Sequence, residues 1–269
     1  MLSVKRSGYY AWLKRKLSKQ VLSNQLLDRK IIFLFTQHQG RYGAPRLTTE
    51  LKSQGEICSK NRVARRMKAL NLHAKAKKKF KITTDSKHRL PVADNLLNQD
   101  FSATAPNQKW CSDISYVWTE EGWLYVAVVM DLYSRAVIGW SIQATMTRQL
   151  VSDTLKMALW RRGFPGGVLC HSDRGSQYCS EDYQNLLKQY GLICSMSRKG
   201  NCWDNAAVES FFNTLKTELI YTQRYKTREI AKQSIFHYIE TYYNQMRRHS
   251  TIGSIAPLVF EEQCKMIAA

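Results

Sequence analysis

The hydrophobic spacing of this chain changes at Lys109, and that change constrains the fold more than any other feature of the sequence. From Lys109 to Trp118 the apolar side chains follow a two-residue period, which is typical of a β-strand. A turn at 120–122 precedes an almost continuously apolar segment over 123–133, and a third strand is predicted over 135–142. Because consecutive strands joined by short turns usually pair, we expect an antiparallel meander.

Helices and strands are predicted to alternate after the meander. The order is helix, strand, helix, strand and then two further helices. Their predicted bounds are 147–162, 166–172, 180–190, 192–197, 205–221 and 227–247. Three antiparallel strands followed by alternating helices and strands predict an α/β fold, with a mixed five-stranded sheet and flanking helices.

The first hundred residues carry most of the net charge. They hold 23 Lys and Arg against 6 Asp and Glu, whereas the whole chain holds 41 against 21, a formal net charge of +20. Such an excess predicts a polyanionic partner, and nucleic acid is the first candidate. No apolar run approaches the ~18 residues of a membrane helix and residues 1–6 lack the apolar core of a signal peptide, so the sequence predicts a cytoplasmic protein.

A strongly basic helix is predicted to begin after Ser59. Ser59 is a suitable N-cap residue, and Val63, Met67 and Leu70 follow on one face at helical spacing. The other faces carry Lys60, Arg62, Arg65, Arg66 and Lys68. Two hypotheses stay open: the second helix of a helix-turn-helix, which offers these charges to a DNA duplex, and a solvated surface helix.

Composition divides the chain into three parts. Residues 1–90 are predicted to form a basic helical DNA-binding region of the helix-turn-helix type, with earlier helices over 21–35 and 45–53. Residues 91–107 contain two prolines and many Asn and Asp residues, which predicts a linker. Residues 108–269 are then the sheet domain with its C-terminal helices.

The segment 75–89 has no apolar period. It is typical of a flexible basic connector that follows a phosphate backbone, with Lys77, Lys78 and Lys79 as its contacts. A solubilising linker is the alternative interpretation.

Three acidic residues stand out from their surroundings. Asp113 interrupts an apolar strand, Asp173 closes a short strand, and Glu209 lies on a helix with an apolar inner stripe. Carboxylates on two strands and one helix can converge at one sheet edge and supply the oxygen ligands that Mg²⁺ prefers. Two such ions about 3.5–4 Å apart support in-line displacement at a phosphodiester.

Five strings of this sequence resemble, in order and spacing, the OrfB transposases of insertion-sequence family three. These proteins are relatives of retroviral integrases. The strings are WCSDISYV, VMDLYSRAVIGWSI, HSDRGSQYCS, SRKGNCWDNAAVESFFNTLKTE and YYNQMRRHSTIGSIAPLVFEE. The resemblance implies a ribonuclease-H-like core and an enzyme that cleaves DNA, exposes a 3′ hydroxyl and transfers the strand.

The same resemblance implies the site residues. Asp113, Asp173 and Glu209 would be the D-D-E ligands of two Mg²⁺ ions, with Mn²⁺ as a substitute. Lys216, seven residues after Glu209 on the same helix, would touch the transposon end.

Further DNA contacts and partners are expected. Arg174 adds a cation beside Asp173, and Arg247 with Arg248 ends an aromatic and basic cluster. Packing of its tyrosines, with the arginines solvated, is an equal alternative to DNA contact. The resemblance implies double-stranded DNA at the element ends and at the target, a homo-oligomer on DNA, and the first-reading-frame protein or its fusion. It places the protein on a bacterial nucleoid.

Three other functions are weighed. A non-catalytic DNA-binding regulator would use the three acids structurally, and a ribonuclease-H-type nuclease would share fold and metals. A tyrosine recombinase is disfavoured because no Tyr follows His249.

Four neighbouring polar residues have structural interpretations. Asp131 is expected to hydrogen-bond the turn at Ser134. Asp204 and Asn205 are expected to form an N-cap pair for the helix that follows them. His171 is predicted to be a strand-end histidine with its hydrogen bonds satisfied within the protein.

Overall fold

The computed structural model describes residues 5–75, 91–199 and 201–268 of the chain. Contacts divide the chain into two compact units, Met1–Lys75 and Ala76–Ala269. We call them the helical unit and the sheet unit, and each has its own buried core.

The helical unit packs α2, α3 and α4 around a leucine-rich core. Its helices are α1 (Arg6–Leu13), α2 (Lys19–Gln37), α3 (Ala44–Ser53) and α4 (Lys60–Ala69). The core side chains are Leu27, Ile31, Leu34, Leu47, Leu51, Val63 and Met67. Ser59 caps α4 by accepting a hydrogen bond from the Arg62 backbone N–H at 3.2 Å, which confirms the predicted start of the basic helix.

The sheet unit is built on five strands in the order β3-β2-β1-β4-β5. The strands are β1 (Lys109–Thr119), β2 (Gly122–Asp131), β3 (Val137–Gln143), β4 (Leu169–Ser172) and β5 (Ile193–Met196). β1, β2 and β3 form the predicted antiparallel meander, and β4 and β5 add in parallel. The predicted mixed five-stranded sheet is therefore confirmed.

Helices cover the sheet and continue to the end of the described chain. They are α5 (Arg148–Arg162), α6 (Glu181–Gln189), α7 (Ala206–Glu218), α8 (Arg228–His237) and α9 (Pro257–Ala268). α5 and α6 share one apolar core with the sheet, which includes Trp110, Val129 and Leu155. In the described part of the chain, no helix combines the length and apolar character needed to cross a bilayer.

The predicted linker over 91–107 is instead packed onto the sheet unit. Leu97 is buried, and the backbone N–H groups of Leu96 and Leu97 donate to Ser195 Oγ at 2.9 and 3.2 Å. Asn95 and Gln99 donate to the buried carboxylate of Asp204. The polar composition of this segment therefore serves specific hydrogen bonds rather than flexibility.

The long helix predicted over 227–247 is interrupted. α8 ends at His237 and a π-helical segment, Tyr238–Tyr243, follows it. Asn244 then exchanges hydrogen bonds with the backbone of Val137, donating to its carbonyl and accepting from its N–H, each at 2.9 Å. The wider turn thus places a buried amide on the backbone of β3.

Gly139→Ala is expected to lower the free energy of unfolding by about 1–3 kcal/mol, measured by urea denaturation. A Cβ at Gly139 of β3 would lie 2.3 Å from the Thr154 carbonyl oxygen and 2.9 Å from Ala158, both on α5. The matched control is Gly166→Ala, where an added Cβ would have no heavy atom within 4 Å. Its free energy of unfolding should change by no more than about 0.5 kcal/mol. Equal stability of both variants would contradict the close packing of α5 on β3.

Candidate active site

Asp113 lies in the middle of β1, opposite Val128 of β2. Its Oδ1 accepts a hydrogen bond from the backbone N–H of Ile114 at 2.8 Å. The pairing of β4 with β1 covers residues 109–111, so Asp113 lies two residues beyond its end. Asp113 is partly exposed there, so side chains from other segments of the fold can contact it.

Asp173 follows directly after β4. Because β4 runs parallel to β1, its end delivers this carboxylate to the side of the sheet where Asp113 lies. Asp173 Oδ1 accepts from the Gly175 backbone N–H at 2.9 Å. A Cβ at Gly175 would lie 3.0 Å from that oxygen and 3.1 Å from Gln177 Oε1, so only glycine leaves the tight turn unobstructed.

Glu209 lies in the first turn of α7 and is exposed. Val208, Phe211, Phe212 and Leu215 of α7 are buried, as is Lys216, which lies two turns after Glu209 on the same face of the helix. α7 contacts β1, so Glu209 lies at the exposed start of a helix that packs against the strand of Asp113.

The three carboxylates are electrostatic neighbours. Burial raises the pKa of Asp113 well above its usual range, and the charges of Asp173 and Glu209 raise it further. Burial and the charge of Asp173 likewise raise the pKa of Glu209. The structure therefore brings together the three acids that the sequence singled out.

The donor chemistry of this cluster suits a divalent cation. Carboxylate oxygens are hard ligands. A cation would offset the mutual repulsion that, after burial, raises the pKa values of Asp113 and Glu209. Within the described ranges, no group of three or more His, Cys, Asp or Glu side chains is placed so that it could hold a metal ion.

Lys216 lies inside the protein beside Asp113. Lys216 is only 6% exposed, and its Nζ lies 4.9 Å from the ring centre of Tyr116. Burial lowers the pKa of Lys216, while the charge of Asp113 acts in the opposite direction. Its predicted contact with the transposon end stays a prediction.

His171 and Asp131 have structural roles. His171 is buried between Ser195 Oγ and Ser197 Oγ, and burial lowers its pKa to about 4, so the ring is neutral. This confirms the satisfied strand histidine. Asp131 accepts from the backbone N–H groups of Asn107 and Tyr133 at 2.9 and 3.0 Å. Tyr133 belongs to the turn that contains Ser134, so the predicted hydrogen bond to this turn is confirmed.

The predicted N-cap pair before α7 was wrong. Asp204 is fully buried and accepts two guanidinium hydrogen bonds from Arg198, at 2.8 and 3.0 Å. Asn205 stands at the N-cap position but makes no side-chain cap. Its Nδ2 donates instead to the Ser112 carbonyl on β1 at 3.1 Å, because α7 starts close enough to the strand for this longer-range bond.

The basic helix uses two of its arginines within the helical unit. Arg66 forms a bidentate pair with Asp28 at 2.6 and 2.7 Å, and Arg62 donates to Asn24 and Ser23 of α2. Arg65 is exposed, as are Lys60 and Lys68. Lys77, Lys78 and Lys79 lie outside the described residues.

The other predicted DNA contacts are engaged within the sheet unit. Arg247 is 3% exposed and pairs with Glu218 at 2.8–3.1 Å, so the alternative of a solvated arginine was wrong for it. Arg248 donates to the Ser254 carbonyl at 2.8 Å. Arg174 Nε donates to the Ser197 carbonyl at 2.6 Å.

Sequence reasoning missed two buried hydroxyl groups at the site. Ser112 Oγ and Tyr178 Oη lie 2.8 Å apart, beside the segments of Asp113 and Asp173. The signal was their position within the same short strings as the acids, WCSD and HSDRGSQY.

Comparisons with known families match the N-terminal part and the C-terminal part of the chain to different family models. Models of the integrase core domain match residues 103–202 and 209–264, and a model of an HTH-like domain matches residues 22–80. The transposase InsF for insertion sequence IS3A of Escherichia coli strain K12 is 51% identical over 265 residues, covering 98% of this chain and 92% of that protein. The insertion element IS600 uncharacterized 31 kDa protein of Shigella sonnei is 46% identical over 269 residues, covering 100% of this chain and 99% of that protein.

Solved structures similar to this chain include retroviral proteins. The simian T-cell lymphotropic virus intasome, in complex with PP2A regulatory subunit B56 gamma, matches with a TM-score of 0.47 and 15% identity, over 81% of this chain and 70% of that chain. The HTLV-2 integrase catalytic core domain in complex with magnesium matches with a TM-score of 0.43 and 16% identity, over 59% of this chain and 99% of that chain.

Asp113→Asn is expected to raise the melting temperature of the metal-free chain at pH 7.5. Folding raises the pKa of Asp113, so the folded chain holds its proton more tightly than the unfolded chain. The resulting stability is complete below the unfolded pKa of about 3.9 and is lost as pH rises through the folded pKa. Because Asn carries no charge, its advantage should shrink towards pH 4.

Thermal unfolding in a chelator, followed by circular dichroism, checks this expectation. The control is Asp182→Asn, an exposed carboxylate on α6 paired with Arg148, with a change within about 0.5 kcal/mol. A parent chain at least as stable as Asp113→Asn at pH 7.5 would contradict it.

Proposed function

The chain belongs to the IS3 family of transposases, and we propose that its DNA cleavage and strand transfer take place at Asp113, Asp173 and Glu209. The observation that carries this assignment is the convergence of three mutually repelling carboxylates from β1, the end of β4 and α7. Asp113 and Asp173 fall within the first match to an integrase core, and Glu209 begins the second.

The three acids would hold the cofactor of the reaction. Two Mg²⁺ ions, for which Mn²⁺ would substitute, supply Lewis acidity to the attacking and leaving oxygens when bound. Asp113 and Asp173 are restrained by backbone hydrogen bonds to their Oδ1 atoms, whereas the exposed Glu209 side chain is free to adjust as substrate arrives. Two restrained ligands and one adjustable ligand suit a site that receives the element end first and the target DNA afterwards.

The reaction comprises two in-line displacements at phosphorus. In the first, water forms a bond to phosphorus as the bond to the leaving 3′ oxygen breaks, which exposes a 3′ hydroxyl. In the second, that hydroxyl attacks a phosphodiester of the target, and a 3′ oxygen of the target leaves.

Lys216, whose ammonium lies beside Asp113, would contact a phosphate of the element end once DNA reaches this pocket.

The helical unit is an HTH-like domain, and the transposase binds DNA. We assign the outward charges of α4, led by Arg65, to phosphate or base contacts at the element ends. Arg62 and Arg66 hold α4 on α2 and so orient those charges. The working complex would be a homo-oligomer on end and target DNA, joined by the first-reading-frame protein or its fusion, on the nucleoid in the bacterial cytoplasm.

Asp113→Asn, Asp173→Asn and Glu209→Gln are each expected to lower the cleavage rate by about 1,000-fold or more, as for groups that stabilise a transition state. The assay uses labelled duplex DNA with the ends of the element that encodes this chain, in Mg²⁺. The control is Glu181→Gln, an exposed carboxylate on α6 of the same unit, with activity within twofold of the parent. Near-parental cleavage by any of the three variants would overturn the assignment.

Arg65→Ala is expected to weaken binding of end DNA by about 10-fold without lowering the melting temperature. It should also reduce the slope of log affinity against log salt concentration by about one. The measurement is fluorescence anisotropy over a range of salt concentrations. The control is Arg29→Ala, which removes the same charge from an exposed position on α2 and should change affinity by less than twofold. If both variants bound equally, α4 would not be the recognition helix.

A further inference from the structure

Ser112 is the point at which the three acid-bearing segments are joined by hydrogen bonds. Its Oγ lies 2.8 Å from Tyr178 Oη, five residues after Asp173. Its backbone carbonyl accepts from Asn205 Nδ2 at 3.1 Å, one helical turn before Glu209. Ser112 itself immediately precedes Asp113 on β1.

The direction of these hydrogen bonds is determined. Ser112 Oγ–H donates to the Val128 carbonyl at 2.9 Å. A serine hydroxyl has one proton, so Tyr178 must donate its phenol proton to Ser112 Oγ. The path runs from Tyr178 through Ser112 to Val128, which is the residue directly opposite Asp113 in the sheet.

All three bonded side chains are buried. Ser112, Tyr178 and Asn205 are 5%, 0% and 4% exposed, so water does not replace a missing partner easily. Asn205 Oδ1 is buried and has no hydrogen-bond partner in the described part of the chain. The hydrogen bond to β1 is therefore the contact that defines the orientation of this amide.

Burial, followed by the charges of Asp113 and Asp173, raises the pKa of Tyr178 well above its usual range. The phenol stays neutral and remains a donor at any working pH.

We propose that Tyr178, Ser112 and Asn205 form a buried hydrogen-bond clamp that fixes the spacing of Asp113, Asp173 and Glu209 for metal binding. The three are positioning residues, and this inference rests on the proposed function of the acids. Removal of one bond would let one segment shift, and the cost would appear in metal affinity. A loss of general stability alone would indicate ordinary core packing.

Tyr183 provides a matched control. Its ring packs edge-on against that of Tyr178 at 5.3 Å between centroids, and it is 3% exposed. It lies on α6, which carries none of the three acids. Tyr178→Phe and Tyr183→Phe therefore each remove one phenol oxygen from a buried tyrosine of the same core, but only the first removes the bond between acid-bearing segments.

The experiment compares full-length Tyr178→Phe, Ser112→Ala and Tyr183→Phe. Isothermal calorimetry measures Mn²⁺ affinity, and thermal unfolding measures stability in a chelator. We expect about 10-fold weaker Mn²⁺ binding for Tyr178→Phe and for Ser112→Ala, parental affinity for Tyr183→Phe, and similar melting temperatures for the two phenylalanine variants. The double variant Tyr178→Phe with Ser112→Ala should bind Mn²⁺ no more weakly than Ser112→Ala alone, because Ser112→Ala already removes the bond to Tyr178.

Two different failures can be told apart. Parental Mn²⁺ binding and cleavage by Asp113→Asn would overturn the proposed function itself. If Asp113→Asn lost both activities while Tyr178→Phe bound Mn²⁺ as Tyr183→Phe does, the acids would retain their role and the clamp would be rejected.

Discussion

Negative charge gathered at one side of β1 is the constraint on which the rest of the sheet unit depends. Asp113, Asp173 and Glu209 come from segments far apart in the chain, and burial and repulsion together raise the pKa of Asp113. Such an arrangement persists only when surrounding structure holds the segments in place. A buried lysine, Lys216, offsets part of the repulsion on Asp113 from within the protein.

The helix that carries Glu209 and Lys216 is fastened near both ends by buried polar contacts. Asn205 connects the start of α7 to β1. At the other end, Glu218 accepts hydrogen bonds from Arg247 and from the Tyr238 hydroxyl, the latter at 2.9 Å. Buried ion pairs often add little net stability because desolvation offsets their attraction, so the benefit here is a defined position for α7.

The sequence predicted those features that depend on local periodicity. The two-residue period after Lys109 specified the meander, and the serines before the predicted helices identified real caps at Ser59 and Ser180. The acidic trio could be singled out because an isolated carboxylate in an apolar strand is costly without compensation. The assignment of these acids to a transposase required the resemblance of the five longer strings to a known transposase family.

Other features depended on partners that local patterns do not show. Arg62 and Arg66 looked like free DNA contacts because their partners lie 38 residues away on α2. Arg247 looked accessible because its carboxylate partner is 29 residues away. Residues 91–107 have the composition of a linker, yet one buried leucine and the acceptor Ser195 hold part of that segment on the sheet unit. Burial and pairing of polar groups are long-range properties, so composition alone could not show them.

The central claim is that three acidic side chains form one divalent-cation site. A crystal of this chain soaked in Mn²⁺, recorded near the manganese absorption edge, tests it directly. The account predicts an anomalous peak in contact with carboxylate oxygens of Asp113, Asp173 and Glu209. A well-ordered chain with manganese bound elsewhere, and no anomalous density among these three residues, would contradict it.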